Sequence, residues 1–170
     1  VMQHYLTNGA ALKNKDKMST KLGDNQASLF MFATQQDSEA AFDGSLGQSP
    51  LAHHGQDLYA SEVFVEGTQN YLKRSQAEGR DATYEEILHL VQGHGLAPAE
   101  KALQDRIVSL ANQALADKSW NPSQEDVNQW TAETGQNGYN SLNFEYLAAA
   151  VEGFYGLWGY SARGLDGYLG

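Results

Sequence analysis

The stretch DATYEEILHLVQGHG, residues 81–95, decides how the rest of the chain is read. At about 100° per residue, Glu85 and His89 fall roughly 40° apart on a helix, with Glu86 on the far side of His89. One stripe therefore carries Glu85, Glu86, His89 and Gln92, and the opposite stripe carries Tyr84, Ile87, Leu88 and Val91. That spacing predicts an amphipathic helix over 83–93, opened by Asp81 or Thr83 and closed by Gly93 or Gly95. The apolar stripe is the core side. The polar stripe has two readings. In the plain one, Thr83 and Glu86 form a capping box, Glu85 complements the positive helix end and His89 faces water. In the other, the two carboxylates and the imidazole are held ready for a ligand.

Working outward, PAEKALQDRIVSLANQALAD (98–117) is a helix with proline in its first turn and apolar residues at spacings of three and four. NPSQEDVNQWTAETG (121–135) repeats the pattern of proline near the start and glycine after the end. NFEYLAAAVEGFYGLW (143–158) is a third helix, with Asn143 as its cap. Toward the N-terminus the chain changes character. Residues 1–26 are polar and could be helix or loop, and ASLFMFAT (27–34) reads as a buried strand. Residues 35–56 carry Gly, Ser, Asp and Pro and read as a long surface loop. Val63–Val65 alternates as a strand would, while residues 66–79 suit a short helix equally well. No internal repeat or low-complexity tract is visible. The expected architecture is one α+β domain over residues 1–170, with a small strand-containing N-terminal part and a mainly helical C-terminal part.

The helix over 143–158 bears on the polar stripe. Leu147, Val151, Phe154 and Trp158 recur at helical spacing and form its expected core side. The opposite side holds Glu145, Ala148, Ala149 and Glu152. A solvated face would carry Lys, Arg or Gln as well. Carboxylates separated by alanines instead let another helix approach closely. Glu145 and Glu152 are either plain surface acids or, with Glu145 brought to Glu85 and His89 at i and i+4, would complete a set of metal ligands beside which Glu86 would serve as the base. A catalytic zinc takes three protein ligands of these types and keeps a position for water. Two carboxylates and one imidazole also suit harder divalent ions.

Composition removes other classes of function. A formal net charge of -10 with only 11 Lys and Arg argues against duplex nucleic acid and anionic membranes as partners. The chain has no Cys, which excludes disulfides, thiol catalysis and Cys-type metal sites. No apolar run is long enough for a membrane span. The chain contains no Gly-x-Ser-x-Gly elbow and no phosphate-binding glycine loop. It is 41% hydrophobic, which suits a packed domain. The ends, VMQHYL and GYSARGLDGYLG, lead us to expect a piece of a processed or longer protein. The supply of Asn, Gln, Gly and acid residues suggests a secreted or periplasmic one.

Glu85-Glu86-Ile87-Leu88-His89 and the later Glu145-Tyr146-Leu147-Ala148 together resemble the zincin metallopeptidases, of the gluzincin, lethal-factor-like kind. The resemblance covers about residues 81–158. It implies a zincin-like fold, a zinc ion, a peptide or protein substrate, and hydrolysis through metal-bound water with Glu86 as general base. By the same match Glu85, His89 and Glu145 are the metal ligands, and Tyr155 is an oxyanion-stabilising residue. The chain departs from the family pattern at its first ligand place, which holds Glu85 instead of His. That departure also suits another divalent ion, or a site that has lost its metal in a domain kept as an extracellular binding or structural module. A di-iron carboxylate protein is a weaker rival, because the chain has no second Glu-x-x-His. His94 is expected to meet the last carbonyls of its helix, and His53 and His54 to lie at the surface.

Overall fold

The computed structural model describes residues 1–7, 14–64, 69, 81–133 and 136–157. Its order is α1 (Met2–Thr7), α2 (Lys15–Asp24), β1 (Ser28–Phe32), α3 (Gln35–Asp43) and β2 (Gly55–Tyr59), followed by α4 (Thr83–Val91), α5 (Lys101–Asp117), α6 (Gln124–Ala132) and α7 (Ser141–Tyr155). Helices dominate, and β1 and β2 form a small sheet. The strands run parallel, in register from Ser28 opposite Gly55 to Phe32 opposite Tyr59. Parallel neighbours need a crossover, and α3 supplies it.

That crossover occupies the stretch expected to be a loop. Thr34 and Asp37 form a reciprocal capping box that starts α3, a signal the Gly and Ser content of the segment obscured. Ser38 then donates to Asp57 at 2.6 Å and fastens α3 to β2. The second strand is Gly55–Tyr59, not Val63–Val65: Val63 and Phe64 follow a 3-10 turn, and Val65 lies outside the described residues. The segment 66–79 also lies outside them, apart from position 69, as does Trp158.

Met18 and Leu22 of α2, Ile87 and Val91 of α4, Leu96 and Ile107 bury one another in the main core. A second cluster gathers Ala114, Trp120 and Leu142. Trp120 stacks on Trp130 with ring centroids 5.9 Å apart, and Tyr146 of α7 packs against both clusters. Between α4 and α5 the chain makes a π turn, Gln92–Leu96, and a short helical turn, Ala97–Ala99. A side chain at Gly95 would meet Leu22 at 3.1 Å and the Met18 carbonyl at 3.3 Å, so its absence lets α2 lie against the π turn.

Helix α7 corrects the expected sidedness. Ala148 and Glu152 are 0% and 1% exposed, whereas Phe154 is 83% exposed. The alanine side is the one pressed inward, because small residues allow the closest approach to neighbouring helices. Leu147 and Val151 line an apolar cavity of about 330 Å³. Asn140, not Asn143, is the N-cap residue. Asn143 is buried instead, and its Oδ1 accepts from Gln92 Nε2 at 3.3 Å and from Gln104 Nε2. Gln92 Nε2 also donates to Gln104 Oε1 at 3.1 Å. These amides tie the π turn, α5 and α7 together.

Asn143→Ala should therefore cost about 2 kcal/mol of unfolding free energy, because it strands the buried Gln104 amide donor, while Gln92 Nε2 keeps Gln104 Oε1 as an acceptor. Met31→Ser, at a largely exposed strand position, should cost less than about 0.5 kcal/mol. Urea denaturation of the two variants beside the parent chain measures both.

Candidate metal centre

Helix α4 does not use Glu86 as a cap. The Asp81 carboxylate takes that role, accepting from the Thr83 backbone N–H at 2.9 Å and from the Phe64 N–H at 3.1 Å. Glu86 is thereby free to turn toward β2, where its Oε2 accepts from Gln56 Nε2 at 2.6 Å. One turn later His89 lies with its Nδ1 3.6 Å from the same Glu86 oxygen. That is an ion-pair distance rather than a hydrogen bond. The other ring nitrogen, Nε2, is 3.8 Å from Glu145 Oε1 of α7. The Phe144 ring meets the imidazole edge to face, with centroids 6.1 Å apart.

Glu85, His89 and Glu145 each offer a ligand atom, and these atoms lie within 4.8 Å of one another. An ion with bonds of about 2.0–2.2 Å holds tetrahedral ligand atoms about 3.3–3.6 Å apart, so small side-chain adjustments suffice to close on it. The group could hold a metal ion. His89 Nε2 is buried and, among the described residues, has no hydrogen-bond partner. Buried polar nitrogens are nearly always satisfied, and this one lies 3.8 Å from the Glu145 carboxylate. The donor set of one imidazole nitrogen and two carboxylate oxygens fits a divalent ion.

Electrostatics agree with the geometry. Burial raises the Glu145 carboxyl, the His89 charge lowers it and the adjacent Glu85 and Glu86 carboxylates raise it again, leaving it at about 8. Burial would lower His89, but Glu86, Glu145 and Glu85 outweigh it and raise the imidazole to about 9. Without an ion, this cluster of negative charge gathers protons.

A cavity of about 280 Å³ opens at the cluster, walled by Gln56, Glu86, His89, His94, Ser141 and Glu145 among others. All of the residues expected at the site from α4, together with Glu145, are thus brought together. Tyr155 is placed elsewhere. It is 61% exposed at the end of α7 and lines the apolar cavity with Tyr5 and Val151. Glu62 accepts from the Tyr59 backbone N–H at 2.8 Å.

His94 and His54 differ from expectation, whereas His53 is exposed as expected. His94 is 3% exposed, because the π turn swings it inward to the cavity wall. Its Nδ1 lies 3.3 Å from that of His54, and the rings meet at 89°. His54 is half-buried by this contact, while His53 stays exposed. Burial and the facing His54 lower His94 to about 4. Gln56 and His94 are the residues that sequence reasoning missed. The flanking Gly93 and Gly95 were the available sign that His94 sits in tightly packed chain.

No family model, no curated protein and no solved structure matches the chain.

His94 binds its proton more weakly in the folded chain than in the unfolded one. Between pH 6.5 and about 4 the unfolded chain takes up the proton first, so stability falls as pH drops through that window. In metal-free protein, His94→Gln should flatten this part of the stability–pH curve. Urea midpoints taken at intervals from pH 7 to pH 4 test it, and parallel curves would contradict it.

Proposed function

We propose that the chain binds one divalent cation, zinc foremost, through Glu85, His89 and Glu145, and hydrolyses a peptide bond in the adjoining cavity. The observation that supports this reading most is the convergence of ligand atoms from two helices on the unsatisfied His89 Nε2. The resemblance of the α4 and α7 motifs to zincin peptidases, and a zincin-like view of the fold, belong to the same proposal.

When bound, the ion supplies acidified water and a Lewis acid for the scissile carbonyl. The chain supplies the remainder. Glu86 stands in the cavity wall as the carboxylate that takes the proton from the attacking water. Gln56 and Ser141 offer hydrogen-bonding groups to the backbone of an extended peptide, and Phe144 gives the cavity an apolar wall. A peptide or protein substrate suits a wall of this mixed kind. Tyr155 has no role in the proposal, because it lies outside this cavity.

Titration of metal-free protein with zinc at neutral pH should show one site per chain. Glu145→Ala should weaken it by more than about 100-fold, beyond the 10–100-fold loss usual for residues that merely support a ligand. At saturating zinc, Glu86→Gln should lower hydrolysis of a quenched-fluorescent peptide library by about 10²–10⁴-fold. A parent chain that binds no divalent ion would favour the binding-module reading. Full activity in Glu86→Gln would remove Glu86 from proton transfer.

A further inference from the structure

Besides lining the cavity, Glu86 stands beside the ring nitrogen of His89 that does not face Glu145. The two nitrogens of an imidazole leave the ring in divergent directions. His89 directs Nε2 to Glu145 and Nδ1 to Glu86, at 3.8 and 3.6 Å. The Glu86 oxygen that faces Nδ1 is the one that accepts from Gln56 Nε2 at 2.6 Å. Gln56 belongs to β2, paired opposite Leu29 of β1, so this hold comes from the sheet and not from the helix that carries Glu86 and His89.

Local helix chemistry alone would send Glu86 another way. Thr83-x-x-Glu86 fits a capping box, in which the Glu86 carboxylate turns back along its own helix. Asp81 caps the Thr83 N–H in its place. Thr83 Oγ1 is buried and, among the described residues, has no hydrogen-bond partner. The helix is thus capped by Asp81, and the Glu86 carboxylate is held by Gln56 beside His89 instead.

We infer that Gln56 and Glu86 are a positioning pair for the metal ligand His89. This rests on the metal-binding reading of Glu85, His89 and Glu145. Gln56 holds the Glu86 carboxylate 3.6 Å from His89 Nδ1, so that in the metal-loaded chain a small closure lets Glu86 accept the Nδ1–H and leaves the lone pair of Nε2 for the ion. An orienting carboxylate of this kind fixes the tautomer and raises the basicity of the nitrogen that binds. Glu86 then acts through His89 with one oxygen, and its other oxygen remains for the water.

The test compares zinc dissociation constants, by chelator competition at pH 7.5, for the parent chain, Glu86→Ala, Glu86→Gln and Gln56→Ala. Loss of the orienting carboxylate in Glu86→Ala should weaken zinc about 10–100-fold. Glu86→Gln, which keeps an acceptor oxygen, should lose less, and Gln56→Ala should weaken zinc in the same direction. In zinc-loaded protein the His89 Nδ1–H proton should give a resolved, slowly exchanging NMR signal. That signal should broaden or vanish in Gln56→Ala and Glu86→Ala, which a merely structural change in the strand would not produce while the metal-free melting temperature holds. Parent-like zinc affinity and an unchanged Nδ1–H signal in both alanine variants would overturn the positioning pair and leave the metal site standing. A parent chain that binds no zinc would overturn both.

Discussion

Gln92, Gln104 and Asn143 are withdrawn from water together, and the candidate metal centre depends on that association. A buried amide is costly unless its partners are present, so these side chains favour one mutual arrangement over near alternatives. Gln92 sits just past the end of α4, Gln104 in the first turns of α5, and Asn143 two residues before Glu145. Fixing Asn143 against Gln92 fixes the height of α7 along α4. The alanine face of α7 allows the close approach that follows, with Ala148 fully buried. Glu145 meets His89 because apolar packing supplies the contact and the amides supply the register.

Around His89 that register creates a local excess of negative charge. Glu85, Glu86 and Glu145 surround one imidazole, in a position where water cannot screen them well. Unpaired buried charge costs several kcal/mol per group. Protons relieve it in the metal-free chain, which is why both His89 and Glu145 hold their protons more tightly than usual. A divalent cation relieves the same excess with directed bonds. Because ligand carboxylates must lose their protons first, affinity for the ion and pH are coupled.

The elements that were legible in the sequence were those with long periodicity. Helices α4, α5 and α7 declared themselves through apolar spacing, and β1 through a short apolar run, although its residues are half-buried or exposed rather than buried as expected. Glu85, His89 and Glu145 were legible because i and i+4 on one helix is a geometric fact, and because an alanine-flanked Glu signals close approach. Three things were not legible. β2 is five residues long and begins at a glycine, so no period could establish itself before it ended. The core side of α7 is not where the large apolar stripe through Phe154 places it, because the alanine side that admits a neighbour is the one buried deepest. Gln56 and His94 reach the site only through the sheet register and the π turn, and neither leaves a pattern in composition.

Zinc K-edge X-ray absorption of the loaded protein examines the centre most directly, because it counts ligands and their types. The expected shell is one imidazole nitrogen with carboxylate or water oxygens at about 2.0–2.2 Å and no sulfur. A shell with two or more imidazoles would contradict it, since among the described residues the other facing imidazoles are those of His54 and His94.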